Sequence, residues 1–438
     1  MSTGIFIIEF SAIKDIIKNM QKRSAIAAAG HKFRTENISK RVQKIVISPI
    51  KEMSILADLF QDETGADIVS FGQGIPYFDT PDYIKAAIKK SLDEISTAKY
   101  TLEPGITELR GLVAKDLKKR KGIENIQPKK EIMITAGCQE AVMCALASTI
   151  DEGDEIILFS PGFASHIEQP VLLGAFPRFV PLIEEKGWKL DIKELEKKIT
   201  KKTKVILFSN PSNPTGAVLS EEEARGLVKI AKKHNLIIIA DETYDFLVYD
   251  GIKHFSPASV PGAKDRVILC GSFSKKYAMT GYRVGFAYAD SGIIDHMLKV
   301  HDALTICSPA ISQKGVIAAL GSDQTSVVEF VKKLDYNRTL MCKKLDELKS
   351  IFEYQKPKGA YYILAKYKIK NINSFDLSLK ILREAHVITI PGAAFGPAGE
   401  GHLRFSFACS PQEIEEGFKR LSKWAKQLGK HFLGNARQ

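Results

Sequence analysis

Cysteine is scarce in this sequence, and none of it is paired by spacing. Six residues (Cys138, Cys144, Cys270, Cys307, Cys342 and Cys409) are scattered over 438 positions without a CxxC. That excludes a zinc framework and a disulfide scaffold, so no metal is expected and the thiols read as reduced, in a cytoplasmic protein. Long apolar runs are also lacking. None approaches the ~18 residues that a membrane span needs, so no membrane partner is expected. The start, MSTGIFIIEFSAIK, carries a short apolar patch, but Glu9 interrupts it and no lysine precedes Lys14. This argues against a secretory signal. Internal repeats and low-complexity linkers are absent.

Charge is plentiful but not organised for nucleic acid. The net charge is +12, and residues 1–44, with nine Lys/Arg against three Asp/Glu, supply half of it. Elsewhere both signs alternate on helical faces such as KKSLDEISTAK, and aromatic residues do not interleave with the basic ones. A solvated surface is the expectation, with no nucleic-acid partner. The 44-residue leader is short for a winged helix-turn-helix with its linker. It reads as a disordered arm, a misassigned start (Met20 is available) or a transit segment; Glu9, Asp15 and Glu36 dilute the last.

What is present is alternation. Short apolar runs (EIMIT, DEIILF, TKVILF, LIIIADET, RVILCGS) are interleaved with amphipathic helices, among them SEEEARGLVKIAKKHN, which Ser220 caps ahead of an acidic first turn. This predicts an α/β fold with a mostly parallel central sheet. From about Asp290 the pattern turns helical for some sixty residues. A smaller α/β unit follows, with AYYILA, a helix near 375–385, VITI, HLRFSF and a terminal helix from Pro411.

In open α/β sheets, ligands bind at the carboxyl ends of the strands. Four polar segments fall there: TAGCQE, SNPSNPTG, ADETY and GSFSKK. Taken singly, each has a plain structural reading: Asp241 a helix cap, Asn213 a turn residue, Lys275 or Lys276 a surface lysine. Taken together they form a set. Gly137, Cys138, Ser272 and Arg283 offer an anion cradle, and Asp241 an anion for a protonated ring nitrogen. Asn213 and Tyr244 offer donors for a phenolic oxygen, and a lysine amine can condense with an aldehyde. Those are the needs of pyridoxal 5′-phosphate (PLP).

The stretch S-x-S-K-x-x-A-M-x-G-x-R-x-G, read at residues 272–285, resembles the PLP-lysine signature of class I/II aminotransferases, the fold-type I PLP enzymes. GQGIPYFDTP, KYTLEPG, TAGCQEA, SPGF, NPSNPTG, ADETY and GHLRFSFA follow the order of that family. The resemblance implies that Lys275, not Lys276, is the Schiff-base lysine and general base. It implies that Arg283, Ser272 and the Gly137–Cys138 amides bind the cofactor phosphate, and that Asp241 holds the pyridinium nitrogen. Asn213 and Tyr244 would contact the phenolic oxygen, and Phe163 would stack on the ring. Arg404, helped by the Gly74 backbone, would fork the substrate α-carboxylate. Tyr100 would reach the cofactor phosphate of a neighbouring subunit in a homodimer with shared sites.

It further implies a leader (1–44), an arm joined to the small domain (45–80), a large PLP domain (81–322) and a small C-terminal domain (323–438). The expected reaction is ping-pong transfer of an amino group from an L-amino acid to a 2-oxo acid, with 2-oxoglutarate the expected acceptor. A carbon–sulfur β-lyase or related synthase is the nearest alternative, and an aminotransferase-like regulator a distant one. One position departs from a prokaryotic aspartate-specific pattern: Gln139 stands where that subgroup has a lysine for the distal carboxylate. The donor expected is therefore broad or non-acidic, with aspartate the live alternative and Lys51 a possible substitute cation.

Overall fold

The computed structural model describes residues 38–45 and 48–434. The expectation for the leader thus falls largely outside the described residues. The described residues 48–434 form one compact unit.

A two-residue strand, β1 (Val69–Ser70), precedes the main sheet. That sheet holds β2 (Ile132–Thr135), β3 (Glu155–Ser160), β4 (Phe176–Pro181), β5 (Thr203–Ser209), β6 (Ile237–Asp241), β7 (Val267–Ser272) and β8 (Gly285–Tyr288). Their spatial order is β2-β8-β7-β6-β5-β3-β4, with β8 antiparallel to both neighbours and all other pairs parallel. The mostly parallel sheet of the sequence reading is therefore present.

Period-2 geometry explains why these runs are apolar throughout. Ile156 and Leu158 face one side, in a cluster with Ala141, Val142 and Ala145 of the helix Cys138–Ala147. Ile157 and Phe159 face the other, with Leu227, Val228 and Ala231 of the helix Glu221–His234. Both faces are covered, so neither can be polar. The second helix starts as expected: the Ser220 side chain accepts from Glu223 N, and Glu223 reaches back to the Ser220 amide. Such a capping box stabilises a helix start by about 1 kcal/mol.

A second sheet, antiparallel, comprises β9 (Phe352–Tyr354), β10 (Tyr362–Tyr367), β12 (Ile390–Pro391) and β13 (His402–Ser406), in the order β12-β13-β10-β9. β11 (Val387–Ile388) leaves it and pairs with β1 in parallel. VITI is therefore not one strand: it is split between two sheets at Thr389. The helical stretch after Asp290 is likewise three helices, Ser291–Thr305, Ala310–Gly321 and Thr325–Glu347. Ile306, in the left-handed region at φ 64°, ends the first, and extended Ser322 ends the second.

The sequence carried no expectation for β4 or β8. β4 (FPRFVP) holds two prolines, tolerated because it is an edge strand. β8 is only four residues long.

Candidate active site

The register of the main sheet brings four segments to one edge. Thr135 and Ser272 both pair with Gly285, so the ends of β2 and β7 flank the start of β8. β6 ends at Asp241, opposite Ser209 of β5 and Cys270 of β7. Lys275 and Asn213 lie in the loops that leave β7 and β5, and Phe163 in the one that leaves β3.

Gly137 caps the helix Cys138–Ala147 at φ +93°, a conformation L side chains rarely adopt. A Cβ on it would lie 2.4 Å from Arg283 Nη2. On Gly285 a Cβ would meet the Cys138 nitrogen at 2.7 Å. Arg283 itself sits at φ 50°, outside the comfortable range for a bulky residue. Its guanidinium, exposed, donates to the carbonyls of Thr280 (2.8 Å) and Ala136 (3.4 Å). Ser272 Oγ accepts from Ser274 N (3.1 Å). Bare first-turn amides, an arginine and a serine thus converge in a cradle suited to a phosphate.

Asp241 is buried and has partners on both oxygens. His166 Nε2 lies 3.2 Å from Oδ2, while Thr243 N (3.0 Å) and Cys138 Sγ (3.3 Å) donate to Oδ1. Burial pushes this carboxyl up, but His166 and Thr243 outweigh it and leave the pKa below its ordinary value. It is therefore an anion, ready for a cationic partner.

Lys275 Nζ donates to the Gly74 carbonyl at 2.6 Å, an oxygen that also accepts from Tyr361 OH at 2.7 Å. Desolvation, then the positive fields of Arg283 and Arg404, bring its amine down to about 8. Arg404 is buried. It donates to Asn213 Oδ1 (3.1 Å) and the Gly72 carbonyl (2.6 Å), with its guanidinium over the Tyr362 ring at 4.5 Å. Its Nε is buried with no hydrogen-bond partner among the described residues. Tyr244 OH and Tyr362 OH are 2.8 Å apart. Phe163 meets the His166 ring edge-on, 5.2 Å between centroids.

Two of the expected residues are exposed. Gln139 is exposed on the first turn of its helix, and its carbonyl accepts from Gln169 Nε2 at 3.0 Å. Tyr100 is 77% exposed, in a strip with Leu92, Ile95 and Leu102, each more than 60% exposed. Nothing within the described chain covers it.

Sequence reasoning missed His166, which lies 75 positions from the carboxylate it holds. It also missed Tyr361 and Tyr362, and a brace under the cradle: Glu140 accepts from the Ala136 amide, and its other oxygen lies 2.6 Å from His301 Nδ1. Cys144 joins Glu140 and His301 in a group whose ligand-type atoms lie within 4.8 Å of one another. Only Tyr361 and Tyr362 had a local signal, their adjacency in AYYILA.

Residues 66–421 match the family described as aminotransferase class I and II. An aromatic-amino-acid aminotransferase of Thermococcus litoralis is 37% identical over 89% of this chain and 98% of its own. An aspartate aminotransferase of Pyrococcus abyssi is 38% identical over 82% and 91%. Among solved structures, an alanine aminotransferase from Pyrococcus furiosus superposes with a TM-score of 0.84 at 30% identity, covering 89% of this chain and 100% of that one. The Thermus thermophilus aspartate aminotransferase with maleate gives 0.83 at 29%, over 88% and 99%. With the family matched over most of its length and its strand-end residues gathered at one edge, the chain belongs to the class I and II aminotransferases.

Proposed function

We propose that this aminotransferase uses PLP held by the residues at that edge, and that it prefers broad or non-acidic L-amino acids as donors with 2-oxoglutarate as acceptor. The observation that carries the reading is the meeting of Lys275, Asp241, Asn213 and Arg404, with a buried guanidinium nitrogen left unpartnered. The site fits the cofactor on chemical grounds. Gly137, Cys138, Ser272 and Arg283 would hold its phosphate, Asp241 its ring nitrogen, Asn213 and Tyr244 its phenolic oxygen, and Phe163 its ring face. When bound, PLP supplies an electron sink for charge that develops at Cα of the substrate.

The rest is done by the chain. Arg404 orients the substrate by its α-carboxylate, with the planar fork that lysine lacks. Gly74 helps with its backbone and holds the Lys275 amine in place meanwhile. Lys275 moves the Cα proton; an amine at about 8 is partly neutral near neutral pH, as a base must be. His166 keeps Asp241 ionised. The division into a large domain (81–322) and a small one (323–438 with 45–80) is supported by the separate sheets. The six scattered cysteines, with no CxxC, are the ground for reading the location as cytoplasmic.

Donor choice rests on Gln139, which carries no charge. A hydrogen bond to a charged group contributes about 1.5–3 kcal/mol and a neutral one about 1, so acidic donors lose roughly tenfold or less in relative preference. Ile75, 52% exposed next to Gly74, and the paired tyrosines favour apolar side chains. Lys51 is the alternative cation for a distal carboxylate, and its charge acts on Glu168. Aspartate, alanine, phenylalanine and leucine should therefore give kcat/KM values within about tenfold, or favour the apolar donors. A preference for aspartate above about a hundredfold would show that a second cation serves the distal carboxylate. Product analysis separates the β-lyase alternative: release of a 2-oxo acid without stoichiometric amino transfer would support the lyase.

The active species is a homodimer with Tyr100 crossing to the other site, a reading supported by the exposed strip from Leu92 to Leu102. Tyr100→Phe and Lys275→Ala chains, each inactive alone, should regain activity when co-expressed, since one hybrid site is intact. Verified heterodimers with no regained activity would confine Tyr100 to its own chain.

A further inference from the structure

A cavity of about 120 Å³ opens beside the site, lined by Leu158, Leu207, Val218, Leu190 and Trp188. It shares Phe163 and His166 with the site, but Lys275, Asp241, Arg283 and Arg404 do not line it. An apolar cavity of about 150 Å³ admits a benzene ring, so this one is of the size for a single small ring or a branched chain.

Its polar lining is one-sided. Asn210 Oδ1 already accepts from Leu219 N, and Ser209 Oγ from Asn213 N. Glu223, the one carboxylate among the lining groups, is engaged by the amides of Leu190 and Ser220. The Trp188 indole nitrogen, by contrast, is buried with no acceptor anywhere among the described residues. Trp188 is 5% exposed and held at φ 65°, with His402 packed against its ring at 5.5 Å. A bulky residue in the left-handed region is kept there by its surroundings. Lys186, Lys189 and Lys358 also line it; all are exposed, and among the described residues none has a carboxylate within 4 Å. The cavity therefore combines an apolar interior, one unsatisfied buried donor and three unpaired cations where it meets solvent.

We infer that this cavity is a second ligand site, for a small carboxylate bearing one aromatic ring or branched aliphatic chain. The apolar part lies against Leu158 and Leu207, a carboxylate oxygen accepts from Trp188 Nε1, and the three lysines balance the charge. A buried donor left unpaired is costly, and this ligand class satisfies it. Of the groups assigned to PLP or to the amino-acid carboxylate, Phe163 alone lines the cavity, and neither the carboxylate contact at Trp188 nor the apolar contacts at Leu158 and Leu207 depend on the proposed function. It does have a consequence for the site. An occupant touches Phe163 and His166, and His166 holds Asp241.

The test is a titration of the cofactor-loaded full chain with 4-fluorobenzoate, followed by fluorine NMR. Saturable binding is expected below ~10 mM. Trp188→Phe, which keeps a ring and removes the N–H, should weaken it about tenfold, and Arg404→Lys should leave it unchanged within about twofold. No saturable binding would overturn the inference. So would a loss on Arg404→Lys with none on Trp188→Phe, which would put the ligand on the substrate arginine. A wild-type crystal soaked in 4-bromobenzoate tests the same point without any substitution. A bromine peak between Trp188 and Leu207 is expected, and a peak beside Arg404 alone would overturn it.

Discussion

Lys275→Ala is expected to abolish the visible band of the cofactor-loaded protein and to lower transamination by at least ~10³-fold, while Lys276→Ala keeps the band. Electrostatics alone does not separate the two lysines. Both amines are brought to about 8, in each case chiefly by desolvation. Their surroundings do separate them. Lys275 donates to Gly74, and its charged neighbours are Arg283, Arg404 and Asp241, all groups of the site. Lys276 lies 3.4 Å from Asp116 Oδ1 and 5.2 Å from the centre of the Tyr277 ring, among Arg120 and Asp245. Its loss should cost stability rather than chemistry.

The same value fixes a pH dependence. Only the neutral amine condenses with an aldehyde, and an amine at about 8 is roughly 1% neutral at pH 6 and about 90% at pH 9. Capture of added PLP by the ligand-free wild-type chain should therefore accelerate roughly 90-fold over that range, then level off. Stopped-flow absorbance measures it. A band lost in Lys276→Ala and kept in Lys275→Ala would reverse the assignment.

What could be read from sequence was whatever is written locally. Asp241, Ser272 and Asn213 lie at or just beyond the ends of apolar strands, and a parallel sheet gathers such ends by topology alone. Arg404 was legible differently, through the spacing of a familiar segment, because it sits inside β13 and no turn announces it. His166 was not legible. Its partner Asp241 belongs to another strand, and only the register of β3, β5 and β6 brings the two within 3.2 Å. VITI misled for a related reason: four apolar β-formers look like one strand, and nothing local shows that β1 takes the first half and β13 the second. The charged network under ADETY was invisible too, since its lysine ends a helix whose last turn, KKRK, reads as solvated.

That network carries the largest expected loss of stability. Lys121 Nζ lies 2.6 Å from both Glu242 Oε2 and Asp245 Oδ2, with its side chain 1% exposed. Asp245 also has Arg120 at 3.0 Å, whereas among the described residues the Glu242 carboxylate otherwise has only Ser256 (2.5 Å) and distant His254 (4.0 Å). Lys121→Met therefore leaves Glu242 as a buried carboxylate without a close cation. Removing one partner of a buried pair costs about 3–5 kcal/mol. For a chain of 438 residues, at roughly 2 cal/mol/K of unfolding entropy per residue, that is a fall of about 3–6 °C in Tm. Adding Glu242→Gln should restore more than half of it, because the orphaned charge is then gone.

The loss should also shrink as pH falls from 8 to 5. Burial already raises the Glu242 carboxyl, and without Lys121 it rises further, so it takes up a proton in that window. His254 is held down to about 3 by burial and then by Lys121. Freed of that lysine its pKa rises, and its protonated form faces Glu242. Both changes let the folded state bind protons that the wild type excludes, which favours folding at the acid end. Differential scanning fluorimetry of wild type, Lys121→Met and the double variant across pH 5–8 measures all three effects. A single variant that melts with the wild type at pH 8 would show that Glu242 is already protonated there and that Lys121 pairs with Asp245 alone.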